Sequence, residues 1–280
     1  MKKSEQKLIR GQDYFLDIYL DPFNKRARVD DYRGNFDHCL SEAVLSAEEM
    51  NAEKLIFKAR KEDLIRLVSA GFELEALITK YFSGSDAYFL VKYFKAGRRD
   101  SPEWQKEDDI VKNVQHLPSV GPMPNPPAEY EMRRAQLADA PQLAELYKSV
   151  FQVYPVPMNS PDYIREVMES DTIFYVYQHN GRIISAASAE INRIYNNAEI
   201  TDCATLPEHR QFGLMKLLIA GLEKELYQMK IYCTYSIARS LSFGMNAALH
   251  QLGYVFGGRL ANNCYIFSSL EDMNVWVKNP

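Results

Sequence analysis

Residues 198–216 read Ala-Glu-Ile-Thr-Asp-Cys-Ala-Thr-Leu-Pro-Glu-His-Arg-Gln-Phe-Gly-Leu-Met-Lys. They predict a strand, a short loop and a helix, because apolar residues recur at helical spacing from Gly213 to about Gln228. The first amides of a helix lack partners within it, and its N-terminus carries partial positive charge, which suits a pyrophosphate. Gly213 allows close backbone approach or a positive φ, and Arg210 and Lys216 add charge. The pattern predicts a phosphate-binding loop, although an ordinary turn between a strand and a helix can have a similar sequence.

Composition and charge narrow the functional classes. The chain has 280 residues, of which 46% are hydrophobic and 25% charged, as in a globular protein of one or two domains. Its 33 Lys+Arg and 37 Asp+Glu give a net charge of -4, which offers no general attraction to nucleic acid or an anionic membrane. Neither a secretory signal nor a membrane-spanning apolar stretch is predicted. We expect a small or locally recognised partner, and neither a nucleic acid nor a membrane.

Cysteine and histidine spacing favours neither disulfides nor a metal site. Cys39, Cys203, Cys233 and Cys264 lie far apart, and no pair has C-x-x-C spacing. The five histidines include no pair four residues apart. We therefore predict reduced thiols, a cytoplasmic protein and no metal.

Prolines divide the chain into two parts. Six of its 13 prolines fall between Pro102 and Pro127, which predicts a linker over residues 101–127 between an N-terminal α/β domain (1–100) and a second domain (128–280). Residues 54–94 and 231–268 both predict a strand, a helix ended by glycine, and two strands. This similarity indicates a shared origin of the halves, although glycine commonly ends helices.

Residues 128–280 predict an α+β domain. The expected order is strand, two helices, hairpin, strand, helix, strand, helix and two strands. Asp139 is placed to cap the first helix, and Asn180-Gly181 predicts the hairpin turn between strands 172–178 and 183–191.

The loop and its preceding strand resemble the GNAT superfamily of acetyl-CoA-dependent N-acetyltransferases. The family signature is a strand followed by [QR]-x-x-G-x-[GA], and residues 210–215 match it except at Met215. The run Ala198-Glu-Ile-Thr-Asp-Cys-Ala204 is similar to the signature strand of the histone-acetylating branch. The resemblance covers about residues 129–270. It implies a mixed, mostly antiparallel sheet flanked by helices, preceded here by a smaller α/β domain that could be half of the same fold.

The resemblance also implies where acetyl-CoA binds. The first domain has no such loop and is expected to bind no nucleotide; it could complete the substrate pocket or form a homodimer. The residues expected to bind acetyl-CoA are Cys203, Ala204, Thr205, Arg210, Gln211, Phe212, Gly213, Leu214, Met215, Lys216 and Asn246.

Further residues are similar to the β-lysine acetyltransferases, which acetylate the ε-amino group of β-lysine. This likeness extends over nearly the whole chain and implies β-lysine as the small-molecule amine substrate. Acetylation of a polyamine or a protein lysine, and a non-catalytic acyl-CoA sensor, remain alternatives. The residues that carry the likeness are 30–32, 238–240, 244–246, 252–254, 262–263 and 273–276.

An amine acceptor requires a general base, because a lysine-type ammonium has a pKa of about 10.4 and is protonated at neutral pH. Glu199 occupies the position of the base in the histone-acetylating branch and is the first candidate. Strand alternation puts Glu199, Thr201 and Cys203 on one face and Asp202 on the other. Asp202 is then an alternate base or an amine-binding anion, and Glu190 is a third candidate.

Other roles are less specified. Many GNAT enzymes have a tyrosine acid four residues before the glycine after the last helix, where this chain has Leu249; His250 or Tyr254 could replace it. Arg239 is a candidate for the substrate carboxylate, with a surface ion pair as the alternative. Asn262 and Asn263 could bind either polar group of the substrate, or form a turn.

Overall fold

In the computed structural model, the described residues are 4–119, 121, 123, 125–151, 153–266 and 269–279. The N-terminal half, residues 4–100, is a run of strands interrupted by two helices. Its elements are β1 Glu5–Arg10, β2 Tyr14–Asp21, β3 Arg26–Gly34, α1 Phe36–Glu49, β4 Lys54–Ala59, α2 Leu64–Ser69, β5 Glu73–Phe82 and β6 Ser85–Tyr93.

Helix α3 (Trp104–Gln115) connects this half to the C-terminal half, residues 128–279. The elements of the C-terminal half are β7 Tyr130–Arg134, α4 Ala140–Val150, α5 Pro161–Glu169, β8 Thr172–His179, β9 Arg182–Asn192, β10 Asn197–Thr205, α6 Leu214–Gln228, β11 Cys233–Arg239, α7 Phe243–Gln251, β12 Val255–Ile266 and β13 Ser269–Lys278.

The strands of the described residues form one sheet in the order β1-β2-β3-β4-β6-β5-β12-β13-β11-β10-β9-β8-β7. Outward from the β5–β12 junction, both halves have the same connectivity. In each, the third and fourth strands are parallel and are joined through a helix, α1 in one half and α6 in the other. The C-terminal half adds β7, α4 and α5. The similarity between residues 54–94 and 231–268 in the sequence therefore corresponds to a repeated strand order, and the predicted mixed, mostly antiparallel sheet flanked by helices is confirmed.

Two glycines allow the halves to approach closely. The backbone of β12 meets β5 at Gly258, which is paired with Ala76. Gly258 has a φ of 133°, and a Cβ there would lie 2.6 Å from the Cα of Ala76. A Cβ on Gly257 would overlap the carbonyl of Leu77. The junction therefore depends on the absence of side chains at both positions.

A hydrophobic cluster spans the junction. Ile56 and Phe89 of the N-terminal half belong to the same buried group as Tyr235 and Val275 of the C-terminal half. Each half also has a core of its own, around Phe57 in the first and Trp276 in the second. The halves thus share both a sheet and a core cluster.

The segment predicted as a linker contains a helix. Its prolines lie before and after α3, and the proline-free stretch between them places Val111 and Val114 on a buried face. Nε2 of His250 in α7 lies 3.2 Å from the carbonyl of Leu117. The proline count missed this helix, because composition over the whole segment hides a local helical period.

The elements around the signature sequence agree with the predictions. The strand expected over 198–206 is β10, and the helix expected to end near Gln228 ends there. The predicted hairpin is β8–β9, with Asn180 and Gly181 both at positive φ in its turn. Among the described residues, no helix has the length and apolar character needed to cross a bilayer.

Candidate active site

A cleft opens where β10 and β11 separate. These parallel strands pair through three residues of each, ending at Glu199 opposite Tyr235. Beyond that pair, Thr201 on β10 and Ser236 on β11 line a cleft of about 710 Å³. The strands diverge because β10 continues along β9 while β11 follows β13. The cleft exposes the ends of two central strands to a ligand.

The N-terminus of α6 forms one wall of the cleft. Residues Pro207–Phe212 form a 3-10 helix, and Gly213 then takes a left-handed conformation with φ 65°. No side chain caps α6, so the first amides of the helix are available to an anion. A Cβ on Gly213 would meet only Lys216 Cε, at 3.8 Å. Arg210 and Lys216 place positive charge at the same wall.

The corresponding helix of the N-terminal half, α1, is capped at its N-terminus by a side chain. The side-chain oxygen of Asn35, the N-cap of α1, accepts from the amides of Asp37 at 3.2 Å and His38 at 3.4 Å. These two amides are occupied, so the start of α1 differs from the uncapped start of α6.

Most of the residues predicted to bind acetyl-CoA lie along the cleft. Three do not: Ala204 is buried in the core, Phe212 packs against the Tyr130 ring at a centroid distance of 5.0 Å, and Asn246 is fully buried. The predicted residues that line the cleft are Cys203, Thr205, Arg210, Gln211, Gly213, Leu214, Met215 and Lys216.

Asn246 has a structural position instead of the predicted contact with acetyl-CoA. It is fully buried, and its Nδ2 donates to the carbonyls of Arg239 and Ser242. Its Oδ1 accepts from Asn274 Nδ2 at 2.9 Å and Trp276 Nε1 at 2.8 Å. These four bonds use the whole amide, so no hydrogen-bonding capacity is left for a ligand.

A bulge changes the side on which Asp202 lies. Thr201 is opposite Ser188, whereas Ala204 is opposite Ala186, so β10 has one extra residue between these pairs. Asp202 lies in this bulge with φ 49°. The Ser188 hydroxyl donates to its Oδ2 at 2.7 Å, so the carboxylate is on the side of Thr201 and Glu199. The prediction that Asp202 faces away from Glu199 is therefore wrong, since alternation does not continue through a bulge.

Asp202 is buried and lines the cleft. Tyr154 also lines the cleft and donates its hydroxyl to Asp202 Oδ1 at 3.1 Å. Burial raises the pKa of the carboxyl, while the hydrogen bonds from Ser188 and Tyr154 act against this rise. Sequence reasoning missed Tyr154, because nothing in the loop after α4 indicates a contact with β10.

Glu199 lies among charges from both halves. It is half-buried, and β10 and β9 place it opposite Glu190. Burial raises the pKa of Glu199, whereas Arg28 and Lys58 of the N-terminal half lower it in part. Glu190 is exposed, and the charges of Glu199 and Asp202 raise its pKa. Of the three candidate acids, only Asp202 lines the cleft; Glu199 and Glu190 lie opposite each other on β10 and β9, just before the strands open. The pKa values of all three carboxyl groups are raised.

The thiol of Cys203 is poorly suited to act as a nucleophile. Burial, followed by the charge of Asp202, raises its pKa, which disfavours the thiolate. The four cysteines, all among the described residues, are free. No group of three or more potential metal ligands occurs in the described parts of the chain.

The residues predicted to bind substrate have other partners. Arg239 lines the cleft but donates to both oxygens of Glu271, at 2.6 and 2.7 Å. Nδ2 of Asn262 donates to the carbonyls of Arg98 and Asp100, and Asn263 is buried in β12. The structure thus gives Arg239 and Asn262 structural partners and sets both asparagines apart from the cleft-lining residues.

The position of the usual tyrosine acid is inside the protein. Leu249 is fully buried in the core, and the Nε2 atom of His250 faces the Leu117 carbonyl. Tyr254 is also buried. None of these three side chains is among the residues that line the cleft.

Comparisons with known proteins agree with this geometry. Residues 140–254 match the acetyltransferase (GNAT) family model. The chain is 42% identical to N-acetyltransferase YodP of Bacillus subtilis, over 92% of this chain and 94% of that protein. It is 34% identical to the β-lysine N(6)-acetyltransferase of Methanosarcina mazei, over 89% of this chain and 99% of that protein.

The fold is also similar to the ribosomal-protein-S18-alanine N-acetyltransferase of Escherichia coli, with a TM-score of 0.47, 15% identity, and coverage of 54% of this chain and 93% of that one. Enzymes of the GNAT family use acetyl-CoA as acetyl donor. The extent of the sequence relationships, together with the opened strands and uncapped helix, shows that this chain belongs to the GNAT family and is an N-acetyltransferase.

Proposed function

We propose that the chain transfers the acetyl group of acetyl-CoA to the ε-amino group of β-lysine by direct attack in a ternary complex. Two relatives that are named β-lysine N(6)-acetyltransferase, from Methanosarcina mazei and Methanococcus maripaludis, support this substrate. The observation that carries the proposal is the opening beyond Glu199 and Tyr235, where Asp202 lines the cleft beside α6 and Glu199 ends the paired part of β10.

The residues of the cleft fit acetyl-CoA. Its volume of about 710 Å³ is in the range of ligand pockets, about 300–1,000 Å³. The amides of Leu214 and Met215 lie at the uncapped start of α6, where they can donate to the pyrophosphate. Arg210 and Lys216 supply positive charge. When bound, acetyl-CoA supplies a thioester carbonyl as the electrophile.

Glu199 is the proposed general base. A lysine-type ammonium has a pKa of about 10.4, so its deprotonation at pH 7 costs roughly 4.6 kcal/mol. Glu199 is half-buried beside the opened strands, and its raised pKa brings the carboxylate closer to the range in which it can accept a proton at neutral pH. One proton moves from the ammonium to Glu199, and the amine nitrogen bonds to the carbonyl carbon. The C–S bond then breaks, and the second nitrogen proton passes to the departing thiolate, which leaves as the thiol of coenzyme A.

Asp202 is proposed to shape the site. Its carboxylate accepts from Ser188 and Tyr154, and Tyr147 donates to its backbone carbonyl at 2.8 Å. Three hydrogen bonds therefore hold the bulge of β10. This role keeps the strand displaced at the point where the cleft begins.

The first experiment is an acceptor panel. Thiol release from acetyl-CoA is measured with β-lysine, α-lysine, spermidine and a lysine-bearing peptide, and mass spectrometry locates the acetyl group. We expect a strong preference for β-lysine with one acetyl on the ε-nitrogen. Turnover of spermidine or peptide alone would replace the substrate assignment. Acetyl-CoA binding without turnover of any amine would favour a sensor.

A matched pair of variants tests the base. Glu199→Gln is expected to lower turnover about 10²- to 10⁴-fold while acetyl-CoA binding is retained, and Glu145→Gln, on the exposed side of α4, is the control. In the wild type, kcat/KM is expected to rise with pH as Glu199 ionises; this ascending limb should change in Glu199→Gln. Unchanged turnover in Glu199→Gln would exclude Glu199 as the base.

A further inference from the structure

Side chains form a continuous path from the opened strands to the N-terminal half. Glu190, Glu199 and Tyr235 are opposite one another on β9, β10 and β11. The Tyr235 ring packs against Tyr81 of β5 at a centroid distance of 5.7 Å. The path begins at the proposed base and crosses the junction between the halves.

The path ends in an ion cluster on β3 and β4. Lys58 Nζ donates to the Tyr81 hydroxyl at 3.1 Å and lies 2.7 Å from Asp30 Oδ1. Arg28 donates to the same carboxylate through Nε at 2.7 Å and Nη2 at 3.1 Å. Asp30 thus binds two cations, and this leaves Nη1 of Arg28 for another carboxylate.

The charged side chains of this cluster are largely buried but partly accessible to solvent. The side chains of Arg28, Asp30 and Lys58 are 29%, 17% and 8% exposed, and Glu190 is exposed. Burying ion pairs gives little net stability, so stability alone is a weak reason for this cluster beside a catalytic site. The same pattern suits the recognition of a charged ligand.

The charges complement a diamino acid. β-Lysine has one carboxylate and two ammonium groups. The site supplies two cations, Arg28 and Lys58, and an excess of carboxyl groups from Asp30, Glu190 and Glu199. A polyamine would use the carboxyl groups and leave Arg28 without a ligand partner.

We propose that Arg28, supplied by the N-terminal half, binds the carboxylate of the acceptor and so selects an amino acid over a polyamine. This inference rests on the proposed function. It assigns the N-terminal half a part in substrate binding, although that half has no phosphate-binding loop. Arg28 is a specificity-determining residue, whereas proton transfer remains with Glu199.

The test compares acceptors that differ only at the carboxylate. β-Lysine, its carboxamide and 1,4-diaminopentane, which lacks the carboxyl group, are assayed with wild type, Arg28→Gln and Arg28→Lys. Arg28→Gln is expected to raise KM for β-lysine about 10- to 100-fold, because a charge-assisted hydrogen bond is lost. Its KM for 1,4-diaminopentane should stay within about twofold of the wild-type value, and Arg28→Lys should recover part of the affinity for β-lysine.

Arg26→Gln is the matched control. Arg26 is also on β3 and also ion-paired, with Asp21 at 3.0 Å, and its substitution should leave the preference for β-lysine over 1,4-diaminopentane unchanged. Acetyl-CoA binding and thermal unfolding show whether each variant is folded. If Arg28→Gln does not fold, two other measurements test whether Arg28 binds the acceptor carboxylate. They are the KM of Arg28→Lys for β-lysine and the wild-type comparison of β-lysine with its carboxamide.

Two failures are distinguishable. If wild type does not acetylate β-lysine, the proposed function fails. If wild type acetylates β-lysine and its carboxamide equally well, or if Arg28→Gln impairs β-lysine and 1,4-diaminopentane alike, the assignment of Arg28 is overturned while the proposed acetyltransferase activity stands.

Discussion

Replacing Asp202 by asparagine or alanine separates the effect of its hydrogen bonds and backbone conformation from the effect of its charge. Asp202 has a left-handed backbone, with φ 49°, and it accepts from the buried Ser188 hydroxyl and from Tyr154. Asparagine tolerates this conformation and keeps a side chain that can bond both hydroxyls. Alanine removes both acceptors and is strained at this φ.

The structure gives a magnitude for each variant. In Asp202→Ala, left-handed strain costs about 1–2 kcal/mol, and the buried Ser188 hydroxyl left without its acceptor costs about 1–3 kcal/mol. The free energy of unfolding should therefore fall by about 2–5 kcal/mol. In Asp202→Asn it should change by less than about 1 kcal/mol, because asparagine accepts from Tyr154 and donates to Ser188.

Urea unfolding, followed by fluorescence and circular dichroism, measures both variants at one pH. Thiol release and acetyl-CoA binding are then measured on the folded Asp202→Asn protein, for which we expect a less than tenfold loss of turnover. Equal stability of Asp202→Ala and wild type would refute the hydrogen-bond and strain argument. A loss of turnover larger in Asp202→Asn than in Glu199→Gln would make Asp202 the base.

Three further variants test the rest of the structure. Asn246→Ala should lower unfolding free energy in urea by at least about 1–3 kcal/mol, since Trp276 Nε1 loses its buried acceptor, with acetyl-CoA binding retained. Gly258→Ala should destabilise the junction by about 1–3 kcal/mol more than Gly71→Ala, which has open space. Burial, then Asp272, raises the pKa of Glu107; its stabilisation is lost as pH rises through that pKa, so Glu107→Gln should gain melting temperature over wild type between pH 5 and pH 9.

Local patterns predicted the elements that carry the acetyl-CoA cleft. The Asn180-Gly181 turn, strand β10 and helix α6 are each specified by residues close in sequence. Gly213, the residue before α6, was identified for the same reason. The extra residue in β10 was not, because a bulge is defined by the partner strand: only β9 shows that Asp202 interrupts the pairing.

Side-chain roles that depend on distant partners were not predictable. Asn246 looked like a ligand contact, but its partners Asn274 and Trp276 are on β13. Arg239 was predicted to bind the substrate carboxylate; it lines the cleft, but the ion pair of its Nε and Nη2 with Glu271 of β13 was not predictable. These partners are not visible in local sequence, because polar groups buried in a fold bond to whichever partner the sheet brings near them.

The sequence by itself determined the strand, loop and helix of the GNAT signature, because helix start signals and hydrophobic period act over a few residues. Only the tertiary structure decided that β3 and β4 bring Arg28 and Lys58 to the charges around Glu199. These residues are far apart in sequence and meet because one sheet continues across the Gly258 junction. Long-range electrostatics follows distance in space, which local sequence patterns do not contain.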